Sequence, residues 1–144
     1  MSDFGKLLTA VITPFDNNGV LNTDTLWRLC KKLVHEKSDG LVLSGTTGES
    51  PNLTKEDRKI IYSTAKDSVG SKAKIIAGTG TYSTKESIEY TKMANDIGVD
   101  GIMIVTPYYS KPSQFGILKH FEEVSNNTDS VSYTHLTLPT SYAV

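Results

Sequence analysis

Four apolar runs in this chain are too continuous to be half-exposed strands: Leu7-Leu8-Thr9-Ala10-Val11-Ile12, Gly40-Leu41-Val42-Leu43, Lys74-Ile75-Ile76-Ala77 and Gly101-Ile102-Met103-Ile104-Val105. A strand with one face in water alternates apolar and polar residues; a strand covered on both faces does not. The runs therefore predict a parallel sheet buried on both faces.

Helical patterns fill the intervals. Leu26, Leu29, Cys30 and Leu33 share one face of a first helix, Ile60, Ile61 and Ala65 of a second, and Ile88, Ala94 and Ile97 of a third. Leu118, Phe121 and Val124 suggest a fourth, ending before Asn126-Asn127. Thr54 with Asp57 resembles a capping box with Asp in place of Glu, and Ser83 with Glu86 has its standard form. Gly98 follows Ile97, where a left-handed helix cap favours glycine.

Four strand-then-helix units in about 125 residues, joined by right-handed crossovers, leave a doubly wound sheet or a (β/α)8 barrel. In both, ligands bind at the C-terminal ends of the strands.

Composition narrows the partners. The 15 basic and 16 acidic residues are interspersed and give no basic stripe for nucleic acid. No apolar run approaches the roughly 20 residues that cross a bilayer, and the N-terminus lacks the charged-then-apolar pattern of a signal peptide. Cys30 is the single cysteine, which excludes an intrachain disulfide and a thiolate metal cluster. The expectation is a cytoplasmic protein with neither a membrane nor a nucleic-acid partner.

Every strand end carries a hydroxyl: Thr13-Pro14, Gly45-Thr46-Thr47-Gly48-Glu49, Gly78-Thr79-Gly80 and Thr106-Pro107-Tyr108-Tyr109. In the second, glycines allow close backbone approach, turn amides can hold a carboxylate, and a threonine hydroxyl can donate to it or relay a proton. The competing reading is a turn whose threonines satisfy local backbone groups. Gly78-Thr79-Gly80 lacks the third glycine of a dinucleotide fingerprint and the Gly-Lys-Ser/Thr of a P-loop, so neither NAD nor ATP is expected. His35 and His120 fall on presumed helices without a ligand-spaced partner, and His135 lies in the C-terminal segment; no metal is expected.

Taken in order, Ala10-Val11-Ile12-Thr13-Pro14-Phe15, Gly45-Thr46-Thr47-Gly48-Glu49-Ser50, Ile76-Ala77-Gly78-Thr79-Gly80 and Val105-Thr106-Pro107-Tyr108-Tyr109, followed by Pro112-Ser113-Gln114, resemble the dihydrodipicolinate synthase family of pyruvate-dependent class I aldolases. The resemblance implies the N-terminal half of a (β/α)8 TIM barrel over residues 1–129. It implies a lyase of lysine and diaminopimelate biosynthesis that condenses pyruvate with aspartate semialdehyde through a lysine Schiff base, without cofactor or metal. Carried over by position, Thr47 and the loop amides would bind the pyruvate carboxylate, and Thr46 would relay a proton between two tyrosines. One of these is Tyr109, reaching into a neighbouring subunit of a homo-oligomer, a dimer or dimer of dimers. Tyr108 and Glu86 match a lysine-inhibitor site; Lys55, where lysine-inhibited members tend to carry histidine or glutamate, implies weak or absent inhibition. Alternatives on the same scaffold are an N-acetylneuraminate lyase or a 2-keto-3-deoxy sugar acid aldolase. A non-catalytic carboxylate-binding half-barrel is the alternative outside the enzymes.

The pattern breaks after Asp129. The family continues into a strand ending in Tyr-Asn-x-Pro, then an arginine for the aldehyde substrate's carboxylate, and a sixth strand with the Schiff-base lysine. Residues 130–144 carry Tyr133 but no Asn-x-Pro after it, and read as a non-native end. Lys111 and Lys119 fall on a loop and a helix, so the chain as written is expected to be inactive. Half a barrel also leaves apolar surface uncovered, which predicts poor solubility or self-association.

Overall fold

Each apolar run forms a strand in the computed structural model, which describes residues 4–128 and 131–134. The strands are β1 (Leu8–Ala10), β2 (Gly40–Leu43), β3 (Lys74–Gly78) and β4 (Gly101–Ile104). A further strand, β5 (Val131–Thr134), lies in the segment to which the sequence assigned no element. All pairings are parallel, in the order β1-β2-β3-β4-β5. His135, with the rest of the segment after Thr134, lies outside the described residues.

The helices are α1 (Thr23–His35), α2 (Lys55–Val69), α3 (Thr84–Ile97) and α4 (Gln114–Ser125). Side-chain oxygens of Asn22, Thr54, Ser83 and Ser113 accept an amide N–H from the first turn of α1, α2, α3 and α4 respectively. Thr54 and Asp57 form the full reciprocal box. Ser83 and Glu86 form only half of theirs: Ser83 Oγ accepts from the Glu86 amide, but Glu86 takes its side-chain bond from Thr81 Oγ1 at 3.2 Å. Thr81 Oγ1 also accepts the Ser83 amide that a capping box would give to Glu86. Gly98 ends α3 at φ 78°, as expected, and Lys66 Nζ donates to the carbonyls of Ile97 and Gly98, placing a cation at the helix C-terminus.

One core joins helices to sheet. Leu41, Leu43, Ile75, Ala77, Ile102 and Ile104 pack with Leu26, Cys30, Ile61, Ala65 and Ala94. The burial expected on both sheet faces is full on this one and uneven on the other: Ile76, in register with Val42, is 1% exposed, Val42 and Met103 are half-buried, and Ile12 and Val105 stand 57% and 40% exposed. Period-2 geometry puts these residues on the face opposite the helices.

Hydrophobicity misplaces parts of three helix faces. Ile60 and Leu118 are exposed, while α3 buries Ser87, Tyr90, Thr91 and Ala94 and leaves Ile88 and Ile97 half-buried. Those polar residues are satisfied where they lie: Thr91 Oγ1 donates to Thr79 Oγ1 at 2.9 Å, and Ser87 Oγ donates to Ser83 O and accepts from the Thr81 amide, each at 2.9 Å. A hydrogen-bonded hydroxyl is buried at little cost.

Candidate active site

The C-terminal ends of β2 to β4 converge on a cavity of about 380 Å³ whose walls include Ser44, Gly45, Thr46, Ser50, Gly78 and Tyr108. Its principal loop, Gly45–Ser50, closes on itself. The amides of Gly48, Glu49 and Ser50 donate to the carbonyls of Gly45, Thr46 and Gly45, and Thr13 Oγ1 anchors the loop from β1 by donating to Gly48 O at 2.7 Å. Ser44 and Glu49 bracket the loop at φ 53° and 56°, left-handed values that make a sharp reversal.

Thr46 and Thr47 differ from Thr13. Both are exposed, and among the described residues neither their amides nor their hydroxyls are engaged in a hydrogen bond. The turn is built by Thr13 and the loop backbone, and two adjacent N–H groups and two hydroxyls remain open at the strand end. Such a cluster suits a carboxylate.

The other site residues predicted from sequence are less convergent. Thr46 and Tyr108 line the cavity; Thr47 and Tyr109 do not. Tyr109 is 98% exposed at φ 69°, outside the ordinary range for a bulky residue. Tyr108 packs edge-to-face on Tyr82 with ring centroids 5.7 Å apart. Lys55 is in an exposed ion pair with Glu89 at 3.7 Å.

Two residues beneath the loop escaped the sequence reading. Arg58 is 2% exposed; its Nη1 donates to Gly78 O at 2.8 Å and its Nη2 to Ser50 O and Ser50 Oγ, each at 2.7 Å. Tyr62, fully buried one turn on, donates to the same Gly78 carbonyl at 2.9 Å. Burial pushes the Tyr62 phenol above its ordinary pKa against the opposing charge of Arg58, so it stays a neutral donor. The signal was spacing: Arg58, Tyr62, Ala65 and Val69 lie on one helical stripe. Among the described residues no three His, Cys, Asp or Glu side chains gather as a metal would need, and no helix is long and apolar enough to cross a membrane.

A family model described as the dihydrodipicolinate synthetase family matches residues 3–134. The chain belongs to the dihydrodipicolinate synthetase family. It is 50% identical over 127 residues to a 4-hydroxy-tetrahydrodipicolinate synthase of Desulforudis audaxviator, covering 88% of this chain and 43% of that protein. A dihydrodipicolinate synthase from Bacillus anthracis superposes with a TM-score of 0.90 at 40% identity, over 93% of this chain and 46% of that one. The synthase of Acinetobacter baumannii, solved in complex with pyruvate, superposes with a TM-score of 0.89 at 31% identity, over 92% and 45%. The chain thus spans less than half the length of these family members. Its sheet and helices are the first half of their (β/α)8 TIM barrel, and the face bearing Val42 and Met103 is the barrel interior, which all eight strands together fill.

Proposed function

We propose that this chain is the N-terminal part of a 4-hydroxy-tetrahydrodipicolinate synthase, a lyase of lysine biosynthesis that joins pyruvate to aspartate semialdehyde. The observation that carries the reading is the open pair at Thr46 and Thr47: amides and hydroxyls exposed at a strand end, unspent on the turn itself. In this reading Thr47 and the loop amides hold the pyruvate carboxylate. Thr46, on the cavity wall, passes a proton between phenols. Tyr109 is one of these, and its near-complete exposure suits a side chain that completes the site of a neighbouring subunit.

The Schiff base needs a lysine at the C-terminal end of a strand. Lys74 begins β3 at the opposite end and is held by Asp100 at 2.8 Å; Lys111 is in a loop and Lys119 on α4. In this reading the lysine lies in the second half of the barrel, and Tyr133 is not followed by the Asn-x-Pro that the family's fifth strand carries. The 144-residue polypeptide alone is therefore expected to be inactive.

The decisive experiment is to sequence the source DNA through and beyond the Asp129 codon, express the whole reading frame and assay pyruvate-dependent condensation with aspartate semialdehyde. A frame that supplies a strand-borne lysine, with condensation that falls on Thr46→Val, supports the proposal. Condensation by the 144-residue chain itself, or a complete frame with no such lysine, would sink it.

A further inference from the structure

Arg58 heads the fully buried side chains by volume, yet none of the ion pairs among the described residues includes it. A buried guanidinium is costly unless its N–H groups are hydrogen-bonded, so a position that needed only filling would carry an apolar side chain. What this one supplies is reach. From α2 it donates to the end of β3 at Gly78 and to the exit of the Gly45–Ser50 loop at Ser50, while the Tyr90 ring of α3 covers it at 4.6 Å. Ser50 in turn returns its amide to Gly45 O at 3.2 Å, so holding Ser50 holds both ends of the loop.

The fork geometry matters. Two Nη groups diverge to two chain segments, and no acceptor engages Nε. A lysine is a point donor at the end of a flexible stem and cannot span both segments in the same plane.

We infer that Arg58 is a positioning residue: its guanidinium locks the Gly45–Ser50 loop against the end of β3, so that Thr46 and Thr47 meet a carboxylate in one preset arrangement. The inference rests on the reading of that loop as a carboxylate site. Pre-ordering a binding loop lowers the cost of engaging its ligand, so loosening it weakens binding more than turnover at saturation.

The test compares the full-length protein with Arg58→Lys, Ser50→Ala and, as a control on the exposed side of α2, Lys59→Met, by amide hydrogen exchange and by steady-state kinetics with pyruvate. Arg58→Lys should speed exchange at the Gly48 and Ser50 amides about tenfold with the rest of α2 unchanged. It should raise KM for pyruvate about tenfold with kcat within about threefold of the parent. Ser50→Ala, which removes one acceptor and leaves the helix intact, should act in the same direction by about threefold, and carries the test if Arg58→Lys does not fold. Lys59→Met should change neither readout. Parental loop exchange and KM in a folded Arg58→Lys, or a loss confined to kcat, would overturn the inference. If exchange responds but the parent protein turns over no pyruvate, the brace stands and the carboxylate reading fails.

Discussion

Thr84, in the first turn of α3, and His120, in the middle of α4, share a hydrogen bond of 2.9 Å between Oγ1 and Nδ1 that ties two helices together. His120 is 2% exposed, and burial lowers its pKa below the ordinary 6.5, with the Val105 backbone acting in the opposite sense. The unfolded chain then takes up a proton at higher pH than the folded one. Stability is full above the unfolded value and falls with pH from about 6.5 down to the depressed folded value, after which this contribution is flat. Urea unfolding of the 144-residue chain at pH 7.5 and 5.5 should show the loss, and His120→Asn should flatten it. An equal slope in both proteins would assign the loss to other groups. Asp16 and Asp39 do not compete in this window: backbone N–H groups hold their carboxyls below the ordinary range, so they act at more acid pH.

Gly78 and Gly19 should respond oppositely in size to alanine. A methyl group at Gly78 would overlap the backbone carbonyl of Ser44, and the end of β3 cannot yield without disturbing the Arg58 and Tyr62 bonds to the Gly78 carbonyl. At Gly19 the space is open and only the φ of 76° opposes it. Thermal unfolding should show a loss of more than about 3 kcal/mol for Gly78→Ala and about 1 kcal/mol for Gly19→Ala. Similar losses at both positions would contradict the close approach at Gly78.

Thr54 and Asp57 should behave as a unit. Each satisfies a backbone donor of the other residue, and their side chains also bond at 2.6 Å. Thr54→Ala should cost about 1 kcal/mol, and the double variant with Asp57→Ala less than the sum of the singles. A double-mutant cycle on chemical denaturation checks this; strict additivity would mean the box contributes no coupling.

In the full-length protein, Thr47→Val should raise KM for pyruvate, while Tyr109→Phe should lower kcat by about 100-fold or more and leave pyruvate binding nearly intact. Mixing inactive Tyr109→Phe subunits with an inactive variant of the Schiff-base lysine should restore activity if Tyr109 serves a neighbouring subunit. No restoration in proven mixed oligomers would place Tyr109 outside the shared site.

The 144-residue chain should self-associate. Among the described residues β1 and β5 each pair on one side only, and Ile12 and Val105 are exposed on the sheet face opposite the helices. Sedimentation velocity should show species heavier than the 15.7 kDa monomer at micromolar concentration; a single monomeric boundary would contradict the prediction.

The strands and helices were legible because burial of a sheet and of a helix stripe leaves two different periods in the chain. The Thr54–Asp57 box and the Gly98 cap were legible for a local reason, since both are settled by neighbours within a turn. Arg58 shares the apolar stripe of α2, but its burial was not legible, because it depends on acceptors outside that helix, Ser50 and Gly78, that no helical pattern announces. Thr91 was hidden for the same reason, since its partner Thr79 follows β3. In the site, motif order brought out Thr46 and Thr47, but only the hydrogen-bond inventory of the loop distinguished them from Thr13, which is consumed in holding the turn.

The sheet order has a bearing on synthesis. From β2 onward, each strand lies beside the one translated just before it. A nascent chain can therefore add one βα layer at a time as it leaves the ribosome, each new helix sealing the strand pair behind it. The half-barrel is a natural waypoint of vectorial folding, and only its two outer edges remain for later residues to close.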